Sequence, residues 1–161
     1  MARFQCMAAA DDIRRMEKEI LSHAADHGAN DIALSHIRLA LEELLTNIRL
    51  YAYREGPGRI VVNTGINSLR EGVSPESGRA VSDNTDKCFL HLEIIDWGPA
   101  FNPLEDSAMP DLESGIDERP VGGLGVHLVR QVAASVTYAR INRPPPLKGN
   151  NRLYVSIALS R

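Results

Sequence analysis

Residues 35–53 read SHIRLALEELLTNIRLYAY, from Ser35 to Tyr53. Around and within them Leu34, Ile37, Leu41, Leu44 or Leu45, Ile48 and Ala52 recur at three- and four-residue steps. That spacing predicts a long amphipathic helix with its apolar stripe set against a core. Beside the stripe, Glu43 and Asn47 are one helical turn apart on a shared face. A carboxylate and a carboxamide held rigidly there suit a proton acceptor and an oxygen ligand for a hard cation. A lone E-x-x-x-N is ordinarily a pair of solvated residues, so its meaning depends on the rest of the chain.

Outward from this helix the punctuation is clear. Asn30 or Asp31 offers its N-cap, and it runs to about Arg54, before Gly56-Pro57-Gly58. Upstream, Arg3 to Met7 suits an edge strand. A helix follows with Asp11 or Asp12 as N-cap, Ile13, Met16, Ile20 and Ala24 as its apolar face, and Gly28 as its stop. Downstream, Arg59 to Thr64 is a strand, and the polar stretch from Gly65 to Lys87 reads as an extended hairpin insertion. Phe89 to Asp96 is the best strand. Its Leu90, Leu92, Ile94 and Asp96 share one face, so the strand ends with an acid pointing as the core residues point. Such an aspartate is costly without hydrogen-bond partners. From Pro99 to Pro120 no long regular element is expected. Gly122-Gly123-Leu124-Gly125 opens a helix with Val126, Val129, Val132 and Ala133. Ser135 to Asn142 and Arg152 to Leu159 are strands, the second with Leu153, Val155, Ile157 and Leu159 on one face, joined by RPPPLKGNN as a hairpin connection. The order predicts a two-layer α+β sandwich, with a mixed, mostly antiparallel sheet and helices on one face. It is read as one domain over 1–161.

Composition narrows the function. The chain has 161 residues, 43% hydrophobic and 24% charged, as globular proteins have. A net charge of −3 gives nucleic-acid binding no electrostatic support. Cys6 and Cys88 lie far apart and read as small hydrophobes in a reducing compartment. No apolar run reaches membrane-spanning length and the N-terminus lacks a signal peptide's apolar core, so no membrane association and a cytoplasmic location are expected. His23, His27, His36 and His127 show no metal spacing, and His91 reads as a cross-strand surface residue.

Three local signals then fall in order. Glu43 and Asn47 come first. Asp96-Trp97-Gly98-Pro99-Ala100-Phe101-Asn102-Pro103 follows, where a strand ends in an acid and the chain turns at Gly98. Last is Gly122-Gly123-Leu124-Gly125-Val126-His127-Leu128, a glycine-rich turn entering a helix. Each has a use around a nucleotide. A buried carboxylate accepts hydrogen bonds from an adenine amino group, and Gly98 removes a side chain that would block a flat base. The glycine turn lets backbone approach phosphates at a helix N-terminus. Trp97 suits either a shield for the base pocket or the core, and Phe101 and Pro103 suit pinning the start of the loop.

This ordered set resembles the N, G1 and G2 boxes of the GHKL ATPase superfamily. More narrowly it is similar to the compact anti-sigma-factor serine kinases of the RsbW type, from about Leu39 to Leu159. The resemblance implies a Bergerat-type sandwich binding ATP with Mg²⁺. It implies Glu43 as general base and Asn47 as the Mg²⁺ ligand. Asp96 would read adenine with Gly98 and Phe101 beside it, and Gly122, Gly123, Leu124, Gly125 and Val126 would lie at the phosphates. A lid would run over about Leu104 to Val121, with Arg119 supplying charge stabilisation. It further implies a serine/threonine kinase acting on a STAS-type anti-sigma antagonist, sequestration of a sigma factor, and a homodimer. Tyr51 stands where family members often carry histidine, and Pro120 and Val121 separate Arg119 from the glycines. Both departures bear on phosphoryl transfer more than on binding. The rival readings are a nucleotide-gated binding module without transfer, and an ATPase domain serving a histidine-kinase-like partner.

Overall fold

Helix α2 (Asp31–Asn47) forms where the periodicity places it. Asn30 is its cap, the side-chain Oδ1 accepting the Ala33 N–H at 2.8 Å. Ala33, Ile37, Ala40, Leu41, Leu44 and Leu45 are all buried, so both leucines of the doublet face inward. Leu41 is fully enclosed. Leu41→Ala should therefore destabilise the fold by about 2–5 kcal/mol in chemical denaturation.

The computed structural model describes residues 1–53, 56–69, 87–105, 124–144, 146 and 148–159. Of the expectations above, most of the lid with Arg119, Gly122 and Gly123, and the middle of the insertion, lie outside these residues. The remaining elements are β1 (Ala2–Met7), α1 (Ala10–Asp26), β2 (Arg59–Leu69), β3 (Lys87–Asp96), α3 (Leu124–Val132), β4 (Ser135–Ile141) and β5 (Asn150–Ala158).

Several boundaries differ from expectation. Helix α1 starts earlier, with Ala9 as an N-cap that makes no side-chain cap bond. Asp11 and Asp12 instead occupy the first turn, where the positive end of the helix dipole favours them. Its buried face is Ile13, Met16, Ile20 and Ala24, as the spacing predicts, and Gly28 takes φ +89° just past the end. Nor does the central helix stay α-helical to Arg54. Ile48–Ala52 form a π-helical turn, which widens the winding right after Asn47. Strands β2 and β3 also reach into the polar stretch, pairing as far as Leu69 with Lys87. Ladder hydrogen bonds are made by backbone, so an exposed polar residue such as Asn67 does not end a strand.

The sheet order is β1-β2-β3-β5-β4. Every described pairing is antiparallel, so the expected mixed character is absent among the described residues. Helices α1 and α2 return the chain so that β2 runs against β1, while β3 and β4, joined through α3, run the same way with β5 inserted between them, so no two neighbouring strands are parallel. Ile60, Val62, Leu90, Leu92, Ile94, Leu153, Val155 and Ile157 join the residues of all three helices in one core, which puts the helices on one face. On the other face Asn63 Nδ2 donates to Glu93 Oε2 at 2.7 Å, and Arg152 Nη1 bonds Glu93 Oε1 at 2.6 Å. Burial pushes the Glu93 carboxyl up, but these donors and the Arg152 charge outweigh it and bring it below its ordinary value.

Candidate functional site

The alternation in β3 carries Asp96 to the end of the strand, facing inward and 4% exposed. Its partners are local and precise in polarity. Asp96 Oδ1 accepts the Gly98 N–H at 2.8 Å and the Asn151 Nδ2 donor at 2.9 Å. No described residue donates to Oδ2. Burial raises the pKa of this carboxyl above its ordinary value, while Asn151, the Gly98 N–H and the Arg140 charge pull the other way.

Gly98 is required by a close approach. A Cβ there would lie 2.6 Å from Ala52 Cβ and 2.8 Å from Ala52 O, in the π-helical turn. Gly98→Ala should therefore cost about 1–3 kcal/mol of stability, since backbone must shift to admit the methyl group. A differential scanning measurement on the ligand-free variant checks this. Tyr53, just past the turn, ties the same region together. Its hydroxyl accepts the Trp97 N–H at 2.8 Å and donates to Arg59 O at 2.6 Å.

Two cavities meet here. The one at Asp96 holds only about 20 Å³ and is lined by Asn47, Ile48, Tyr51, Ala52, Phe101, Tyr138, Asn151 and their neighbours. The other is an open cleft of about 690 Å³ along Trp97–Phe101, Tyr53 and Lys148. Tyr51, Ala52 and Phe101 belong to both, and the Tyr51 and Phe101 rings lie 6.3 Å apart. The inner cavity has room for about one water molecule. Trp97 lines the outer cleft with the Arg59 guanidinium 4.1 Å from its ring centre, so it shields the inner cavity only indirectly.

Glu43 and Asn47 take different stations along α2. Asn47 lines the Asp96 cavity. Glu43, a turn earlier, lies against the start of α3, where a Cβ on Gly125 would overlap its carboxylate. Val126 packs its side chain into the core. Leu124 begins α3, and Arg130 of that helix donates to Leu104 O at 2.8 Å, tying α3 to the loop after Phe101. The three motif segments thus converge on one side of α2.

A family model for the histidine kinase-like ATPase domain matches residues 6–150, nearly the whole chain. The chain belongs to that family. ATP binding and ATP-dependent kinase or ATPase chemistry follow for this histidine kinase-like ATPase domain at that general level. No curated protein matches the chain.

The family's cofactor can be tested against the residues present. The bare Oδ2 acceptor of Asp96 suits a base that offers an amino group. Among the described residues no three His, Cys, Asp or Glu side chains gather as a metal cage. The Asn47 carboxamide at the edge of the Asp96 cavity is a donor of the kind that holds Mg²⁺ together with substrate phosphates. Among the described residues no helix is long and apolar enough to cross a membrane.

Sequence reasoning missed Asn151, Tyr138 and Arg140. The signal was alternation: Asn151 shares the inward face with Leu153 and Val155, and opposes Asp96 in the ladder.

Proposed function

We propose that the chain is an ATP-binding anti-sigma factor and serine/threonine kinase that phosphorylates a STAS-type antagonist in a partner-switching system. The observation that carries this reading is the arrangement along α2. Asn47 borders the Asp96 cavity, and one turn away the Glu43 carboxylate meets the start of α3. Base recognition, metal contact and proton acceptance then follow one another along α2, so that positioning and electrostatics, on which phosphoryl transfer chiefly depends, come from one rigid element. Bound Mg²⁺–ATP supplies the transferable γ-phosphoryl group. Glu43 takes the proton from a serine or threonine hydroxyl of the antagonist, whose oxygen bonds to phosphorus as ADP leaves. Asn47 would hold Mg²⁺ through its amide oxygen, and Arg119 would steady the developing charge. A homodimer binding a sigma factor completes the proposal, with the cytoplasm as its location.

The test is incubation with radiolabelled ATP and purified STAS-domain candidates. Acid-stable phosphate on a serine or threonine supports the kinase reading. ATP binding without transfer supports the nucleotide-gated module, and phosphate on histidine supports service to a histidine-kinase-like partner.

Gly125→Ala gives a sharper check. Alanine is the better helix former, so the fold should be as stable as wild type or slightly more so. Its methyl group displaces the Glu43 carboxylate, the movable end of a flexible side chain. Transfer should fall at least about tenfold with thermal stability retained.

A further inference from the structure

Behind Asp96 lies a relay that the chemistry above does not use. Arg140 of β4 is half-buried, and its Nη1 donates both to Gly98 O at 3.0 Å and to Asn151 Oδ1 at 2.9 Å. The Tyr138 hydroxyl donates to that same Oδ1 at 2.8 Å. Oδ1 of Asn151 therefore faces only donors, and flipping the amide would set its NH₂ against a guanidinium and a hydroxyl. The Nδ2 end is left to donate to Asp96 Oδ1 at 2.9 Å and Pro99 O at 2.8 Å. One oxygen of Asp96 is thereby occupied and the other left open toward the cavity.

The arrangement has a cost. Arg140 Nε is buried with no hydrogen-bond partner among the described residues. A Cβ at Gly149 would lie 2.6 Å from Ile141 O and 3.1 Å from Arg140 Nη2, so the glycine admits the hairpin backbone first and the guanidinium beside it. A strand position facing a core is an expensive place for such a group unless its charge has a use.

We infer that Arg140 is a positioning residue for nucleotide recognition: through Asn151 and the Gly98 carbonyl it fixes which Asp96 oxygen meets the base. Its charge also favours the ionised form of that carboxyl, against the larger opposing effect of burial. This rests on the reading that the Asp96 cavity takes the base. The other groups around Asp96 have separate duties. Tyr53 is engaged with Trp97 and Arg59, the Arg59 cation sits over the Trp97 ring, and Lys148 lines the outer cleft. Asn47 and Tyr51 line the cavity. Among the described residues Arg140 is the cation whose charge acts on Asp96.

The experiment has two arms. In the ligand-free protein, carbon-detected NMR follows the Asp96 carboxyl between about pH 3 and about pH 8 in wild type, Arg140→Gln, Arg140→Lys and Tyr138→Phe. Its midpoint should rise in Arg140→Gln and hold near wild type in the other variants, which keep the cation. In the second arm ATP is titrated over the same range. Affinity should fall about tenfold or more in Arg140→Gln at neutral pH, with its acid-side loss starting at higher pH. Tyr138→Phe should weaken binding without moving that limb, because it removes a donor but no charge. An unchanged Asp96 midpoint and acid limb in Arg140→Gln overturn the inference. Wild type that shows the Asp96 shift but binds no ATP overturns the base reading instead, so the failures are distinguishable. If Arg140→Gln does not fold, Arg140→Lys decides: it keeps the charge but not the guanidinium's fixed pair of donations to Gly98 O and Asn151 Oδ1, so wild-type ATP affinity in it overturns the positioning role.

Discussion

Asp96→Asn is expected to abolish ATP binding while making the ligand-free protein more stable at neutral pH. The binding loss follows from the open Oδ2. A carboxylate there accepts a charge-assisted hydrogen bond from an amino group, worth about 1.5–3 kcal/mol, whereas an amide NH₂ turned toward the cavity opposes one. The Asn151 donor and the Gly98 N–H require the oxygen of the new amide on their side, so the NH₂ has no other place. The stability gain follows from the sign of the pKa shift. Burial raises the folded-state value of Asp96, so the native state binds more protons than the unfolded chain between the ordinary and the raised value. Stability contributed by this group is therefore greatest below the unfolded value. It falls as pH rises through that window and stays reduced above it. Asparagine carries no charge and removes the penalty. Denaturant titrations across the acid range should show Asp96→Asn gaining on wild type as pH rises. A variant less stable than wild type at neutral pH contradicts the electrostatic account.

The second large effect concerns chemistry rather than binding. Glu43→Gln should lower phosphoryl transfer to the antagonist by about 10²–10⁴-fold, the range attributed to a positioned general base. ATP affinity should change little, because Glu43 does not line the Asp96 cavity and meets α3 instead. Single-turnover transfer alongside calorimetric ATP binding separates the two quantities. Equal losses in both would place Glu43 in nucleotide binding, and undiminished transfer would remove it from the reaction.

The sequence is most legible where a period is set by burial. The α2 stripe and the β3 alternation are written by residues that must face the core, and they locate Glu43, Asn47 and Asp96 without any structure. The order of the motif segments conveys the family for the same reason. Features set by local backbone energetics are less visible. The π-helical turn at Ile48–Ala52 replaces a period by one slightly longer over a single turn, too short a run to register. Asn150 and Asn151 follow a proline- and glycine-rich run, so composition places them in a hairpin turn. Their backbone instead continues the β5 ladder, which sets Asn151 opposite Asp96. That register, and the reach of Arg140 and Tyr138 from the neighbouring strand, depends on non-local pairing that no local pattern encodes. The size of the inner cavity is likewise a matter of packing, since it depends on where the Tyr51 and Phe101 rings come to rest.

Recognition of the adenine amino group by Asp96, as proposed, is checked by comparing ATP with inosine triphosphate by calorimetry on the wild-type protein. The two differ at the base edge, where inosine presents a carbonyl oxygen in place of the amino group. ATP should bind in the micromolar range and inosine triphosphate about a hundredfold more weakly, from the loss of a charge-assisted hydrogen bond plus an acceptor facing an acceptor. Equal affinity for the two nucleotides, or no binding of either, would contradict that recognition.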